Sequence, residues 1–187
     1  MADLFLASLH HTLQHEGGFV DHPADPGGAT NWGVSLRALR NLEADNVLDY
    51  DRDGDGDVDA DDMRMLTRAD AQRFYREHFW FPWMDLIVVP RAASKAFDTG
   101  VNVGPRQAAR LLQRAANIVL RDPIKADGWI GEKSIEAINT IGQAEMGSRL
   151  VTAMTHVQAR FYFDLVDAKP ARNAFLLGWL RRAYWKP

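Results

Sequence analysis

The sequence predicts a mostly α-helical protein. Apolar residues recur at intervals of three and four along most of the 187-residue chain, which is the period of an amphipathic helix. The alternation with a period of two that is typical of strands is absent, apart from possible short strands at 19–20 and 87–89. A hydrophobic fraction of 47% and a charged fraction of 25% are those of a globular protein with an ordinary core.

Helix start signals place the elements of the N-terminal half. Asp3, Ser35 and Thr67 are candidate N-caps, the last of them within a Thr-x-x-Asp capping box. The Gly17–Gly18 pair ends the first helix and leaves Glu16 in its last turn. The apolar positions of these helices are Phe5, Leu9 and Leu13, then Leu36, Leu39 and Leu42, then Phe74 and Tyr75.

Further helices are predicted in the C-terminal half. Pro105 occupies a first helical position, and a short helix follows Gly131. Apolar residues with helical spacing lie at 108–119, 135–138, 150–165 and 175–183. The weakest seam of the chain lies at 89–95, between an aromatic cluster and this helical half.

Composition excludes several classes of protein. The net charge is −3 and no long basic run occurs, so we expect no nucleic-acid partner. Without cysteine there is no disulfide, cysteine nucleophile or cysteine-bound zinc. No apolar run is long enough to span a membrane, and the first residues lack the pattern of a signal peptide. We therefore expect synthesis in the cytoplasm. We also expect a monomer.

The candidate chemistry lies in a stretch rich in glycine and proline at 15–33. We expect the partial negative charge at a helix C-terminus, together with partial burial, to raise the pKa of Glu16 toward that of a general acid. Asp25 follows in a proline-stiffened loop, and Thr30 and Asn31 add groups able to position water. Two acids with a small hydroxyl nearby suit glycoside hydrolysis. The alternatives are a solvated helix end, an Asx turn and a strand hydroxyl.

The residues from His15 to Ser35 resemble glycoside hydrolase family 108, the N-acetylmuramidases of phage endolysins and bacterial secretion activators. The resemblance implies a lysozyme-like helical fold with at most a small β hairpin near the active site. The catalytic glutamate of the Glu-Gly-Gly-aromatic motif maps onto Glu16. The spacing of nine residues to Asp25 also resembles phage-type lysozymes, although their threonine lies six residues after the aspartate, and Thr30 lies five after Asp25. The candidate substrate contacts of this motif are Trp32 and Asn31.

A second resemblance covers the C-terminal half. The stretches at 102–104, 127–131 and 161–180 resemble the predicted peptidoglycan-binding domain that usually follows this hydrolase. We therefore divide the chain into a hydrolase region at 1–92 and a helical peptidoglycan-binding region at 93–187, which are separate or packed as one body. Trp129, beside a glycine turn, is either a platform for a sugar or part of the core.

An acidic loop at 51–62 matches the EF-hand calcium pattern in one register. It has glycine at position 6, an apolar residue at position 8 and aspartate at position 12, where glutamate is usual. The predicted ligands are Asp51, Asp53 and Asp55, the carbonyl of Asp57, and Asp62. We expect Ca²⁺ with a structural or regulatory role. The alternative is a solvated acidic turn, in which the carboxylates repel each other.

Together these features predict a muramidase that hydrolyses the β-1,4 bond between N-acetylmuramic acid and N-acetylglucosamine in peptidoglycan. Glu16 is the acid, with Asp25 and Thr30 as base or water-positioning groups. We expect the protein to reach the cell wall through a holin-like pore or by another route. The alternatives are a lytic transglycosylase, which leaves an anhydro product, a zinc amidase using His11 and His15, and a non-catalytic, calcium-dependent wall-binding or secretion accessory protein.

Overall fold

A computed structural model describes residues 3–14, 18–21, 28–42, 48–143, 146–185 and 187. The prediction of a mostly α fold with a small hairpin is confirmed, because these residues form helices and one two-stranded antiparallel sheet. The described α-helices are α1 Leu4–Gln14, α2 Leu36–Arg40, α3 Ala60–Met65, α4 Arg68–His78, α5 Pro82–Asp85, α6 Pro90–Val103, α7 Pro105–Val119, α8 Glu132–Gln143, α9 Gly147–Ala168 and α10 Asn173–Tyr184. The strands are β1 Thr30–Asn31 and β2 Val34–Ser35, and 3₁₀ turns lie at Leu48–Tyr50 and Pro170–Arg172.

The chain folds into two compact units. The N-terminal unit is Leu9–His78, and the C-terminal unit combines Met1–Ser8 with Phe79–Pro187. The units divide at residues 78 and 79, inside the segment that the sequence assigns to the hydrolase region. The assignment of functions to 1–92 and 93–187 stays a prediction.

Local capping interactions form the N-terminal unit's helices as predicted. The Ser35 hydroxyl accepts a hydrogen bond from the backbone N–H of Ala38 at 3.2 Å. Thr67 and Asp70 form a reciprocal capping box: the Thr67 N–H donates to the Asp70 carboxylate at 2.9 Å, and the Asp70 N–H donates to the Thr67 hydroxyl at 3.2 Å. The buried side chains of this unit include Leu39, Tyr50, Met63, Phe74 and Tyr75.

The C-terminal unit contains the largely buried helix α6, and just before it one sequence expectation is wrong: residues 87–89 form no strand. Most of the seam predicted at 89–95 lies within this 14-residue helix, and the domain boundary placed there stays a prediction. Residues 92–100 of α6 are all buried and most of them are small or polar, so the helix lacks the large apolar residues at helical spacing by which the other helices are predicted. Buried Lys95 donates to the carbonyls of Ala183 and Trp185 at 2.7 and 2.9 Å, at the end of α10.

A second cluster joins α9 to α10. Tyr162 is fully buried, and its ring stacks on Trp179 with 5.3 Å between centroids. The Tyr162 hydroxyl donates to the Asn102 side chain at 2.8 Å and accepts from Gln158 at 3.0 Å. Among the helices described, none has the length and apolar content needed to cross a membrane.

Candidate functional site

The predicted acid Glu16 and its partner Asp25 lie outside the described residues. Their catalytic roles therefore stay predictions. The residues that follow them, from Gly28 through the hairpin to α2, are described. The geometry of this hairpin indicates which of its side chains are already engaged within the protein.

The hairpin turns tightly at Trp32 and Gly33. Asn31 pairs with Val34 across the two strands, and both turn residues have positive φ, at 51° and 74°. Glycine adopts such angles without strain, but a tryptophan there is unfavourable by roughly 1–3 kcal/mol. Two hydrogen bonds hold it: its indole N–H donates to the Leu66 carbonyl at 3.1 Å, and its own carbonyl accepts from the Tyr75 hydroxyl at 3.4 Å. Strain of this kind gathers at functional sites, so it favours a role for Trp32 in the site.

Asn31 and Thr30 hold the hairpin in place. Asn31 is buried, and its amide donates to the carbonyls of Met63 and Leu66 at 2.8 and 3.3 Å, at the end of α3. The main chain of Thr30 exchanges two hydrogen bonds with Val20, at 2.7 and 2.8 Å. These contacts are structural. The predicted roles of Asn31 in substrate binding and of Thr30 in catalysis stay predictions.

The acidic loop at 51–62 is ordered by its own carboxylates. Asp51 accepts from the backbone N–H groups of Gly54 and Gly56 at 2.7 and 3.0 Å, and both glycines have positive φ. Asp62 is buried and accepts from the N–H groups of Asp59 and Asp53 at 2.8 and 3.3 Å. The loop thus closes on itself and leads directly into α3, of which Asp59 and Asp62 form the capping box.

The electrostatics of the loop favour a bound cation. The carboxylate of Asp55 is the largest influence on Asp57 and raises its pKa. At Asp53 the N–H of Asp55 lowers the pKa, but desolvation and the neighbouring carboxylates together raise it above its usual value. At Asp62 burial acts to raise the pKa, and the backbone N–H groups outweigh it and lower the pKa overall. The exposed carboxylates therefore repel one another while Asp62 stays ionised.

The donor set fits Ca²⁺. Carboxylate oxygens of Asp51, Asp53 and Asp55 lie within 4.8 Å of one another, and those of Asp57, Asp59 and Asp62 form a second such group. Two oxygens that bind one Ca²⁺ at 2.3–2.6 Å lie at most about 5 Å apart, so the first group can share an ion. Within the described residues, every group able to hold a metal is made of aspartates.

Trp129 is exposed rather than part of the core. Its side chain is 67% exposed, yet its main chain is held rigidly. Its N–H donates to Asp127 at 2.9 Å, and its carbonyl accepts from the amide of Gln113 at 2.9 Å. Gln113 is fully buried and also accepts from the N–H of Gly128 at 2.8 Å. A large aromatic ring on a fixed main chain is a pre-organised contact surface.

Sequence matches assign the chain to known families. Residues 9–104 match the family described as glycosyl hydrolase 108. The chain belongs to this family. Residues 107–184 match a family described as a predicted peptidoglycan domain. Together these matches make the protein a glycoside hydrolase that acts on peptidoglycan, as the sequence predicts.

A solved structure has the same fold. The structure titled "Structure of Brucella abortus SagA" is 26% identical in sequence and aligns with a TM-score of 0.67, covering 96% of this chain and 88% of that chain. No curated protein matches the sequence significantly.

Sequence reasoning missed the surroundings of Trp129. The guanidinium of Arg106 lies 4.9 Å from the centre of the Trp129 ring, and Phe81 and Trp83 line a cavity beside it. The only signal in the sequence was the Asp-Gly turn at 127–128. A Cβ at Gly128 would lie 2.6 Å from the Arg106 carbonyl oxygen, so only glycine allows this close approach.

Proposed function

We propose that this enzyme is an N-acetylmuramidase of the lysozyme type, which hydrolyses the β-1,4 bond between N-acetylmuramic acid and N-acetylglucosamine. The observation that carries the proposal is membership of the glycosyl hydrolase 108 family over residues 9–104, the range that includes the Glu-Gly-Gly-Phe motif. Glu16 is the one acid of that motif. The backbone strain at Trp32, which two hydrogen bonds hold in place, supports a functional role for this part of the sequence.

The proposed reaction uses Glu16 as general acid. Its carboxyl proton passes to the glycosidic oxygen as the bond from that oxygen to C1 breaks. Water then supplies the oxygen that bonds to C1, and its proton passes to a carboxylate, for which Asp25 is the candidate. Thr30 is the candidate group to position this water. The hydrogen bonds between Thr30 and Val20 fix the main chain of Thr30 and do not use its hydroxyl.

We also propose that the loop at 51–62 binds Ca²⁺ through Asp51, Asp53, Asp55, the carbonyl of Asp57, and Asp62. The crowded carboxylates and their raised pKa values at Asp53 and Asp57 support this. The loop leads into α3, whose terminal carbonyls hold the hairpin through Asn31 and Trp32. Bound Ca²⁺ would supply positive charge to the loop, so its proposed role is to stabilise α3 and through it the hairpin.

Digestion of purified peptidoglycan tests the reaction. Glu16→Gln keeps the size of the side chain but cannot donate a proton, so digestion should fall by about 10²–10⁴-fold. Glu136→Gln, an exposed glutamate on α8, is the matched control and should digest normally. Folded Glu16→Gln protein with near-normal activity would contradict the proposal. Products lighter by one water in mass spectrometry would identify a lytic transglycosylase instead.

A further inference from the structure

A cavity of about 380 Å³ lies beside Trp129 in the C-terminal unit. Aromatic and aliphatic side chains form most of its wall, and one cation lies among them. Its principal lining residues are Phe81, Trp83, Pro105, Arg106, Trp129 and Ile130. A cavity of this volume can hold a short peptide of a few residues or one sugar ring.

The side chains of this cavity offer hydrogen-bond donors and no acceptors. No carboxylate of the described chain lies within ion-pair distance of Arg106, which is exposed and stacks on Trp129 at 4.9 Å. The indole N–H groups of Trp83 and Trp129 likewise have no acceptor among the residues described. A ligand that fits here must therefore bring its own acceptors, and a negative charge best complements the guanidinium.

The cavity wall is pre-organised. Gly128 packs against the Arg106 main chain. The amide of buried Gln113 accepts from the Gly128 N–H and donates to the Trp129 carbonyl. Asp127, which accepts from the Trp129 N–H, is itself held by Lys125 at 3.5 Å. The main chain that carries Trp129 is thus held in place before any ligand arrives, and the guanidinium of Arg106 lies over its ring.

We propose that this cavity binds the carboxylate-bearing peptide stem of peptidoglycan. The proposal rests on peptidoglycan being the substrate, and it names the part of that polymer that the C-terminal unit takes. Stem peptides carry alanine methyl groups, amide carbonyls and free carboxylates. The methyl groups can pack against the apolar wall, and the amide carbonyls can accept hydrogen bonds from the indole N–H groups. A carboxylate can form a bidentate, charge-assisted hydrogen bond with the Arg106 guanidinium.

A sugar ring fits this cavity less well. Each sugar hydroxyl carries a donor hydrogen, and no lining side chain accepts one. Burying such a donor without an acceptor is unfavourable. The peptide stem has fewer donors for its size, and the amide N–H groups it has can remain at the open mouth.

Binding of soluble stem peptide tests the proposal. The probe is the tetrapeptide L-Ala–γ-D-Glu–L-Lys–D-Ala, titrated by calorimetry into the full-length protein. The comparison ligands are the same peptide with its carboxyls amidated, and chitotriose. We expect the acid peptide to bind, amidation to weaken it at least tenfold, and chitotriose to bind no more tightly than the amide.

Variants assign the binding to this cavity. Arg106→Gln should weaken the acid peptide about tenfold and leave the amide unchanged, whereas Arg106→Lys should lose less. Arg121→Gln, an exposed arginine of the same unit, is the control and should bind as the wild type. Equal binding of acid and amide, tighter binding of chitotriose, or unchanged binding by Arg106→Gln would overturn the proposal. The two proposals can fail separately. A glycosidase does not cleave the stem peptide, so absence of peptide binding would not contradict the muramidase proposal. Normal digestion by Glu16→Gln would contradict the muramidase proposal and would not affect the proposed peptide binding.

Discussion

Gln113→Leu should loosen the platform that carries Trp129 without changing the size of the core. Leucine is close in volume to glutamine, so the change removes hydrogen bonds rather than packing. Gln113 bonds the Gly128 N–H at 2.8 Å, the Trp129 carbonyl at 2.9 Å, the Ser134 hydroxyl at 3.2 Å and Asp127 at 3.3 Å.

The magnitude follows from which partners can reach water. The bond to the Gly128 N–H is buried, so that N–H loses its partner at a cost of about 1–3 kcal/mol. The Trp129 carbonyl is only partly buried and can bond to water, and the Ser134 hydroxyl can rotate toward another partner. Losing these two hydrogen bonds should therefore cost only about 1 kcal/mol in total. We expect a total of about 2–4 kcal/mol. For a chain of this size each kcal/mol shifts the melting temperature by about 2–4 °C.

Calorimetry and peptide binding measure the two consequences. The control is Gln107→Leu on the same helix, because among the described residues its amide takes part in one side-chain hydrogen bond, which its oxygen accepts from the Arg110 guanidinium at 3.4 Å. Gln113→Leu should melt well below this control and bind the stem peptide more weakly. Equal melting temperatures for the two variants would refute the reasoning, because the buried network would then contribute nothing measurable.

Two further predictions concern the calcium loop and a buried tyrosine. Calcium should raise the melting temperature by the equivalent of about 2.7 kcal/mol at a hundredfold excess over its Kd, and a chelator should reverse this. Asp51→Ala and Asp55→Ala should abolish this response, and the control Asp167→Ala should keep it. If calorimetry detects no heat of binding at millimolar calcium, the loop is a solvated acidic turn and the prediction is wrong. Burial raises the pKa of Tyr162 to about 12, so the stability it contributes is complete below about pH 10 and is lost as the pH rises through about 12. Linkage gives a loss of about 2 kcal/mol at pH 12, and Tyr162→Phe, which cannot ionise, should lack it when urea unfolding is measured at pH 9 and pH 12. An equal decrease in the free energy of unfolding for both proteins would contradict this prediction.

The sequence determined those features that depend on neighbouring residues. The N-caps at Ser35 and Thr67 form as predicted because their partners lie three residues away. The order of the acidic loop likewise comes from carboxylates and N–H groups within 51–62, so the sequence alone located the candidate calcium loop. The motif around Glu16 identified the family, because all of its residues lie within a single short segment of the sequence.

The tertiary structure alone decided features whose parts lie far apart in the chain. Helix α6 buries small and polar residues such as Lys95, whose ammonium group donates to carbonyls at the far end of the chain, so no series of large apolar residues marked it as part of the core. The cavity beside Trp129 joins Trp83, Arg106 and Trp129, which share no local spacing. Whether a tryptophan is core or surface depends on what packs against it. Folding brings those neighbours together from distant segments, so a local pattern cannot reveal them.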